Sequence, residues 1–217
     1  MFGRFLTIVL FALGSSASSR AEIIDRIAVT VGSNVITESM ILSEIQLSAF
    51  QDGREPDLSP AAKRQAAERL VDRMLLVQEM DEARYPVPPM ADILEQIAQF
   101  RKSRFPTEDA FRQELARRGI DENELREFFQ LQTRALQFIE VRFRTGVQVS
   151  SEEVASYFNQ EIKPKLLAQN QAVPSLEDLA VDIERILVNQ RVDQAMEDWL
   201  KQTRSLARIR FREEVFR

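Results

Sequence analysis

Residues 27–39, IAVTVGSNVITES, have the pattern of a β-hairpin. Ile27, Val29 and Val31 alternate with smaller or polar residues, so they are predicted to share one face of a first strand. Residues 32–34 are rich in turn-forming types and are predicted to reverse the chain. The sequence therefore predicts a hairpin close to the start of the folded part of the chain.

This hairpin needs a partner, because two strands alone are marginally stable in water. Its return strand at 35–36 runs directly into a helix, with Thr37 as N-cap and Glu38 in the first turn. At the other end of the chain, residues 206–212 alternate apolar and basic side chains. The apolar set is Ala207, Ile209 and Phe211, and the basic set is Arg208 and Arg210. We expect this C-terminal strand to pair with the hairpin; the alternative is a frayed tail.

Between these ends the sequence predicts helices almost throughout. A first helix ends near the polar loop 51–57, and Ser59 caps a long helix that reaches about Arg84. Three prolines then interrupt the pattern. Residues 89–118 follow as a small lobe of two helices, and Gly119 fits the end of the second.

The second half of the chain predicts a central helix and a long last helix. The central helix runs from Asp121 to about Arg144 and carries two apolar stripes. The first stripe contains Leu125, Phe129, Leu136, Ile139 and Phe143, and the second contains Phe128, Leu131, Ala135 and Phe138. Ser150 caps a short helix, residues 162–174 are predicted to be a loop, and the last helix covers about 175–204. The predicted fold is mainly α, with a small β-sheet formed by the N-terminal hairpin and the C-terminal strand.

Residues 1–21 have the pattern of a secretory signal peptide that is cleaved after about Ala21. A start with Arg4 precedes an apolar run at 5–13 and then small polar residues. An uncleaved anchor is the alternative, but the run is far shorter than the ~20 residues of a spanning helix. We therefore expect an exported, periplasmic core, 22–217, without stable membrane insertion.

Composition excludes several kinds of chemistry. The chain has no Cys and no His, which removes thiol nucleophiles, histidine triads, disulfides and nearly all zinc sites. The formal net charge is −5, so nucleic acid is a poor partner. The short basic cluster of Arg101, Lys102 and Arg104 is interpreted as a solvated helix end. We expect no cofactor, no metal and no catalytic residue.

Four segments together resemble the SurA and PrsA group of exported chaperones. IAVTVGSNVITESMI at 27–41 resembles the amino-terminal signature of that family, and residues 111–143 resemble its helix, Gly-Ile turn and long amphipathic helix. VQVSSEEVASYF at 147–158 resembles the segment that normally follows. Residues 191–211 are similar to the family's carboxy-terminal helix and strand.

The resemblance implies an ATP-independent holdase that binds unfolded exported polypeptides, especially outer-membrane β-barrel precursors. The family usually inserts parvulin-type prolyl isomerase domains where this chain has only residues 160–175. A domain on the order of a hundred residues does not fit there. The isomerase site also typically involves histidine. We therefore expect no enzyme; the alternatives are a prolyl isomerase or a homodimeric assembly factor.

The residues predicted to contact clients lie in and around the small lobe, because Met and Phe adapt to varied partners. They are Met90, Ile93, Ile97, Phe100, Phe105 and Phe111. The alternative for each is a place in the core. Met74, Met80, Met196 and Trp199 are assigned to the core. Unpaired edges of the terminal sheet are predicted to add backbone pairing.

Overall fold

The structure, a computed structural model, describes residues 25–217. The predicted signal peptide lies outside the described residues. The strands are β1 (Ile27–Val31), β2 (Asn34–Thr37) and β3 (Ile209–Phe211). The helices are α1 (Glu38–Asp52), α2 (Pro60–Glu82), α3 (Met90–Arg104), α4 (Glu108–Arg118), α5 (Glu122–Ile139), α6 (Ser151–Tyr157), α7 (Lys163–Ala168) and α8 (Leu176–Leu206). The described chain is therefore mainly helical with one small antiparallel sheet, which confirms the predicted fold class.

The sheet joins the two ends of the described chain. Its strand order is β2-β1-β3, and both pairings are antiparallel. Thr30 of β1 lies opposite Arg210 of β3, and the Gly32 N–H donates to the Arg208 carbonyl at 3.0 Å. The predicted pairing of the C-terminal strand with the hairpin is confirmed, and the frayed tail is wrong.

A β-bulge changes the predicted face of Ile27. Ile27 lies opposite Thr37, whereas Val29 lies opposite Ile36, so Ala28 is an extra residue in β1. Ala28 is completely buried and Ile27 is exposed. The prediction that Ile27 shares one face with Val29 and Val31 is therefore wrong, because alternation fails across a bulge.

The hairpin turn is also shorter than predicted. Val31 lies opposite Asn34, so Asn34 belongs to β2 and only Gly32 and Ser33 connect the strands. Gly32 has a φ of 58°, a backbone conformation that glycine adopts without strain. A glycine at the first position of a two-residue turn is typical of type II′ hairpins.

The main core lies beneath this sheet, where β1 and β2 pack on α1 and α2. Val215 and Phe216 follow β3 and are also buried in this core. Phe211 packs against it, and the Arg64 guanidinium lies 3.9 Å from the centre of the Phe211 ring. The end of the described chain is therefore part of the core and not an appendage.

The second half of the chain departs from the predicted loop at 162–174. After Tyr157 the helix continues through a π-helical turn, Phe158–Ile162, directly into α7. Pro164 lies in the first turn of α7, directly after the π-helical turn that ends at Ile162. Only residues 169–175 connect α7 to α8, so the predicted loop is wrong over its first half.

Helix α8 bridges two clusters of apolar side chains. Its first half packs with α6 around Ile183, and its second half packs through Trp199 against α2 and α5. Helix α5 continues as a π-helical turn at Glu140–Arg144, which contacts α8. Among the described helices, none combines the length and the apolar character needed to cross a bilayer.

Candidate functional site

The structure does not place the residues predicted to bind clients on one exposed surface. Ile93 and Phe111 are buried in the core between α1, α3, α4 and α5, and Met90 is exposed at the start of α3. The half-buried members, which pack against the same core, are Ile97, Phe100 and Phe105. Most of this predicted set therefore contributes to packing within the small lobe.

Phe50 of α1 lies at the centre of these aromatic side chains. Its ring centre is 5.5 Å from that of Phe100, 5.7 Å from that of Phe105 and 6.0 Å from that of Phe111. Aromatic pairs in this distance range attract each other beyond the gain from burial. The aromatic residues of the small lobe thus anchor it to α1.

A groove runs between α2, α5 and α8, and most of the side chains that line it are apolar. Its volume is about 290 Å³. The apolar side chains that line it are Leu76 of α2, Phe128, Leu131, Ala135 and Leu136 of α5, and Met196 and Leu200 of α8. None of the six predicted client-binding residues lines this groove.

Two side chains in the groove are more exposed than the sequence analysis predicted. Leu136 was expected in an apolar stripe of the central helix, but it is 59% exposed. Met196 was assigned to the core, but it is half-buried on the groove wall. Met80 is fully buried, as predicted, and Trp199 is half-buried against Phe143, with ring centres 6.0 Å apart. The remaining methionine assigned to the core, Met74, is half-buried and packs against the main core.

The groove adjoins two further depressions, and both of these touch the same part of α2, residues 69–76. Towards α1 it adjoins a depression of about 360 Å³ that includes Met40 and shares Phe128 and Leu131 with it. Towards β3 it adjoins a wider depression of about 630 Å³ that includes Phe211 and shares Leu200 with it. We call this surface from Met40 to Phe211 the α2 groove. It is elongated and open, a shape that suits a length of polypeptide better than a small molecule.

A buried carboxylate holds one basic wall of the α2 groove. Glu44 of α1 is 3% exposed and accepts two hydrogen bonds from Arg73, at 2.5 and 3.0 Å. The Arg73 guanidinium also lies 5.6 Å from the centre of the Phe128 ring. Arg69 approaches the same carboxylate at 3.6 Å. This pair fixes α1 to α2 and orients Phe128 at the groove.

A second ionic cluster joins α2 to the end of α8. Arg204 donates to Asp72 at 2.6 Å and also to Glu68. Burial raises the pKa of the Asp72 carboxyl, and the neighbouring Arg204 opposes this shift. The cluster lies where the groove reaches β3, so it sets the spacing between two of the groove walls.

Replacing Arg73 by Met is expected to lower the free energy of unfolding by about 3 kcal/mol. The change leaves the Glu44 carboxylate buried without its bidentate partner, which is strongly unfavourable. Urea unfolding followed by circular dichroism measures the loss. The matched control is Arg69→Met, because Arg69 is more exposed and 3.6 Å from the same carboxylate. Equal losses in the two variants would contradict the assigned role of Arg73.

The sequence matches no protein-family model and no curated protein. Among residues 25–217, no cluster of three or more acidic side chains is arranged to hold a metal ion. Residues 25–217 form a mainly helical fold, joined near both of its ends by the small sheet, with an apolar surface bordered by ion pairs. The apolar side chains of this surface are suited to non-covalent contacts.

Proposed function

We propose that this protein is an ATP-independent periplasmic chaperone, a holdase for unfolded exported polypeptides such as outer-membrane β-barrel precursors. The observation that carries the proposal is the α2 groove, in which Leu136 is exposed beside Phe128, Met196 and Leu200. The resemblance of four sequence segments to the SurA and PrsA chaperones supports the same function. Export to the periplasm is part of the proposal and rests on the pattern of residues 1–21.

The side chains of the groove suit weak and varied contacts. Met196 has a flexible, polarisable thioether that adapts to different partners, and Phe128 offers a ring face without a hydrogen-bonding requirement. Covering exposed apolar surface with an unfolded segment lowers the free energy by about 25 cal/mol per Å² of surface removed from water. Such contacts are non-directional, so clients are bound without one required sequence and are released without ATP.

The ion pairs keep the groove formed before a client arrives. Arg73 is held by Glu44, and Arg204 is held by Asp72, so α1, α2 and α8 are connected around the groove. A preformed surface binds with a smaller entropic penalty than one that must first become ordered. This preorganisation lets weak apolar contacts suffice for a holdase.

Replacing Leu136 by Glu is expected to weaken client binding about tenfold. The change places a charge on the groove wall, and a bound apolar segment would have to desolvate it. Binding is measured by suppression of aggregation of a urea-diluted β-barrel precursor and by anisotropy of the same precursor carrying a fluorophore.

Val141→Glu is the matched control for this test. Val141 is also 59% exposed and lies just beyond α5, but it does not line the α2 groove. Both variants add the same charge at equally exposed positions, so differences in net charge and stability are minimised. Equal activity of the two variants would contradict the proposal, as would failure of the wild-type protein to protect any of several unfolded clients.

A further inference from the structure

Strand β3 is an edge of the sheet and presents backbone groups on its outer side. In the antiparallel pair with β1, Arg208 and Arg212 direct backbone groups towards β1, since Gly32 donates to Arg208 and Arg212 donates to Ala28. The N–H and C=O groups of the residues between them, Ile209 and Phe211, therefore point away from β1. Among residues 25–217, no further strand pairs with this edge.

Three exposed arginines form a row along β3, with Arg210 inside the strand and Arg208 and Arg212 directly before and after it. Arg208, Arg210 and Arg212 are all exposed and alternate with the half-buried Ile209 and Phe211. Alternate residues of a strand lie about 7 Å apart on one face, so the three charges follow one another along the edge. Within the described part of the chain, none of the three makes a side-chain hydrogen bond or an ion pair with a carboxylate.

The residue across the sheet does not balance this charge. Arg210 lies opposite Thr30 of β1, which is neutral. The row stands out because the chain as a whole carries a formal net charge of −5. Like charges on one strand face are unfavourable, and an opposite charge on an adjacent strand relieves them.

The inner side of the β3 edge opens onto the end of the α2 groove. Ile209 and Phe211 line the depression of about 630 Å³ together with Leu200, and its other lining residues are polar or charged: Asp72, Glu197, Lys201, Arg204 and Ser205. A strand added beside β3 would place alternate side chains over the apolar side chains of this depression and the others beside the arginine row. An added strand would therefore be favoured when one of its faces is apolar and the other is acidic.

We infer that β3 binds a client segment as a fourth strand, and that the preferred segment alternates acidic and apolar residues. This inference rests on the proposed chaperone function and names the class of segment that the site selects. The added strand pairs its backbone with Ile209 and Phe211, its carboxylates with the arginine row, and its apolar residues with the groove. A second copy of β3 is a poor occupant, because it would bring three more arginines to the same face.

The test uses short capped peptides of alternating Glu and Val, and matched peptides of alternating Lys and Val, on the folded protein. At low ionic strength the Glu peptide is expected to bind about tenfold more tightly than the Lys peptide in fluorescence anisotropy. Hydrogen exchange of the Ile209 and Phe211 amides is expected to slow when the Glu peptide binds. A Glu peptide with alternate amides methylated is expected to lose most of its binding, because it cannot form the strand ladder.

The decisive variant reverses the row with Arg208→Glu, Arg210→Glu and Arg212→Glu together. The expected result is a reversed preference, with the Lys peptide bound more tightly than the Glu peptide. Far-UV circular dichroism and thermal melting establish that this variant is folded; if the triple change unfolds the protein, the single Arg210→Glu variant provides the test through a reduced preference. An unchanged preference in a folded variant would overturn the inference.

Other outcomes distinguish strand addition at β3 from membrane binding and from client binding in the α2 groove. In one outcome, anionic phospholipid vesicles displace the Glu peptide while the Ile209 and Phe211 amides stay unprotected in the peptide's presence. That result would assign the arginine row to a membrane surface and overturn strand addition. Aggregation suppression that depends on Leu136 but not on the arginine row would retain the holdase and reject the acidic strand. Peptide binding at β3 with no effect of Leu136→Glu on any client would reject the groove and retain the edge site.

Discussion

Deletion of residues 208–217 is expected to abolish cooperative unfolding, with a loss of stability above about 5 kcal/mol. The deletion removes β3 and leaves the two-stranded hairpin, which is marginal by itself. It also removes Val215 and Phe216, which are buried in the main core, and truncation of a buried Phe alone costs about 3–5 kcal/mol. Such a loss is comparable to the total stability of a domain. Thermal melting followed by near- and far-UV circular dichroism measures the effect.

Two variants make this result interpretable. Phe216→Ala is expected to lower the free energy of unfolding by about 3 kcal/mol while the protein stays folded. Removal of Arg217, which is exposed, is expected to change the midpoint by less than about 1 °C, since surface changes are usually small. A deleted protein that melts cooperatively at the wild-type temperature would show that the ends of the described chain do not close the fold.

Replacing Phe50 by Ala is expected to destabilise the small lobe by about 4 kcal/mol. The ring is buried and lies within 6.0 Å of Phe100, Phe105 and Phe111, so the change opens a cavity where α1 meets α3 and α4. Hydrogen exchange is expected to accelerate first in α3 and α4. Urea unfolding gives the change in free energy.

Leu94→Ala is the matched control for Phe50→Ala. Leu94 lies on α3 of the same lobe, but its side chain is exposed, so the expected loss is below about 1 kcal/mol. The pair also tests the assignment of the aromatic residues. If Phe50→Ala left stability unchanged and only weakened client binding, these rings would serve the client and not the core.

The closure of the fold was predictable because strand patterns are local. The alternation of Ile209 and Phe211 with arginines is visible in a few residues. Because an isolated hairpin is marginally stable, a third strand was expected to pair with it, and the C-terminal strand was the candidate. The buried position of Val215 and Phe216 was not predicted, since those residues follow the strand without a periodic pattern. The bulge at Ala28 was missed for a related reason: one extra residue breaks alternation, and only the pairing partner shows it.

The location of the groove was not predictable from periodicity. The central helix carries two adjacent apolar stripes, and the part of them that stays uncovered depends on where α8 packs. Leu136 and Met196 have the same sequence pattern as buried residues, yet they line an open surface. The sequence did indicate that the two stripes together are wider than the surface that one neighbouring helix covers. The burial of Glu44 was also not predictable from the sequence, because only the structure shows that Arg73 pairs with this carboxylate.

Site-specific photo-crosslinking to an unfolded β-barrel precursor tests whether the α2 groove binds clients. One protein carries the photoreactive residue at Leu200 in the groove, and the other carries it at Val181, which is 74% exposed on the same helix but outside the groove. We expect strong crosslinking from position 200 and little from position 181. Equal crosslinking from the two positions, or crosslinking only from a third probe at Met90 in the small lobe, would contradict this expectation.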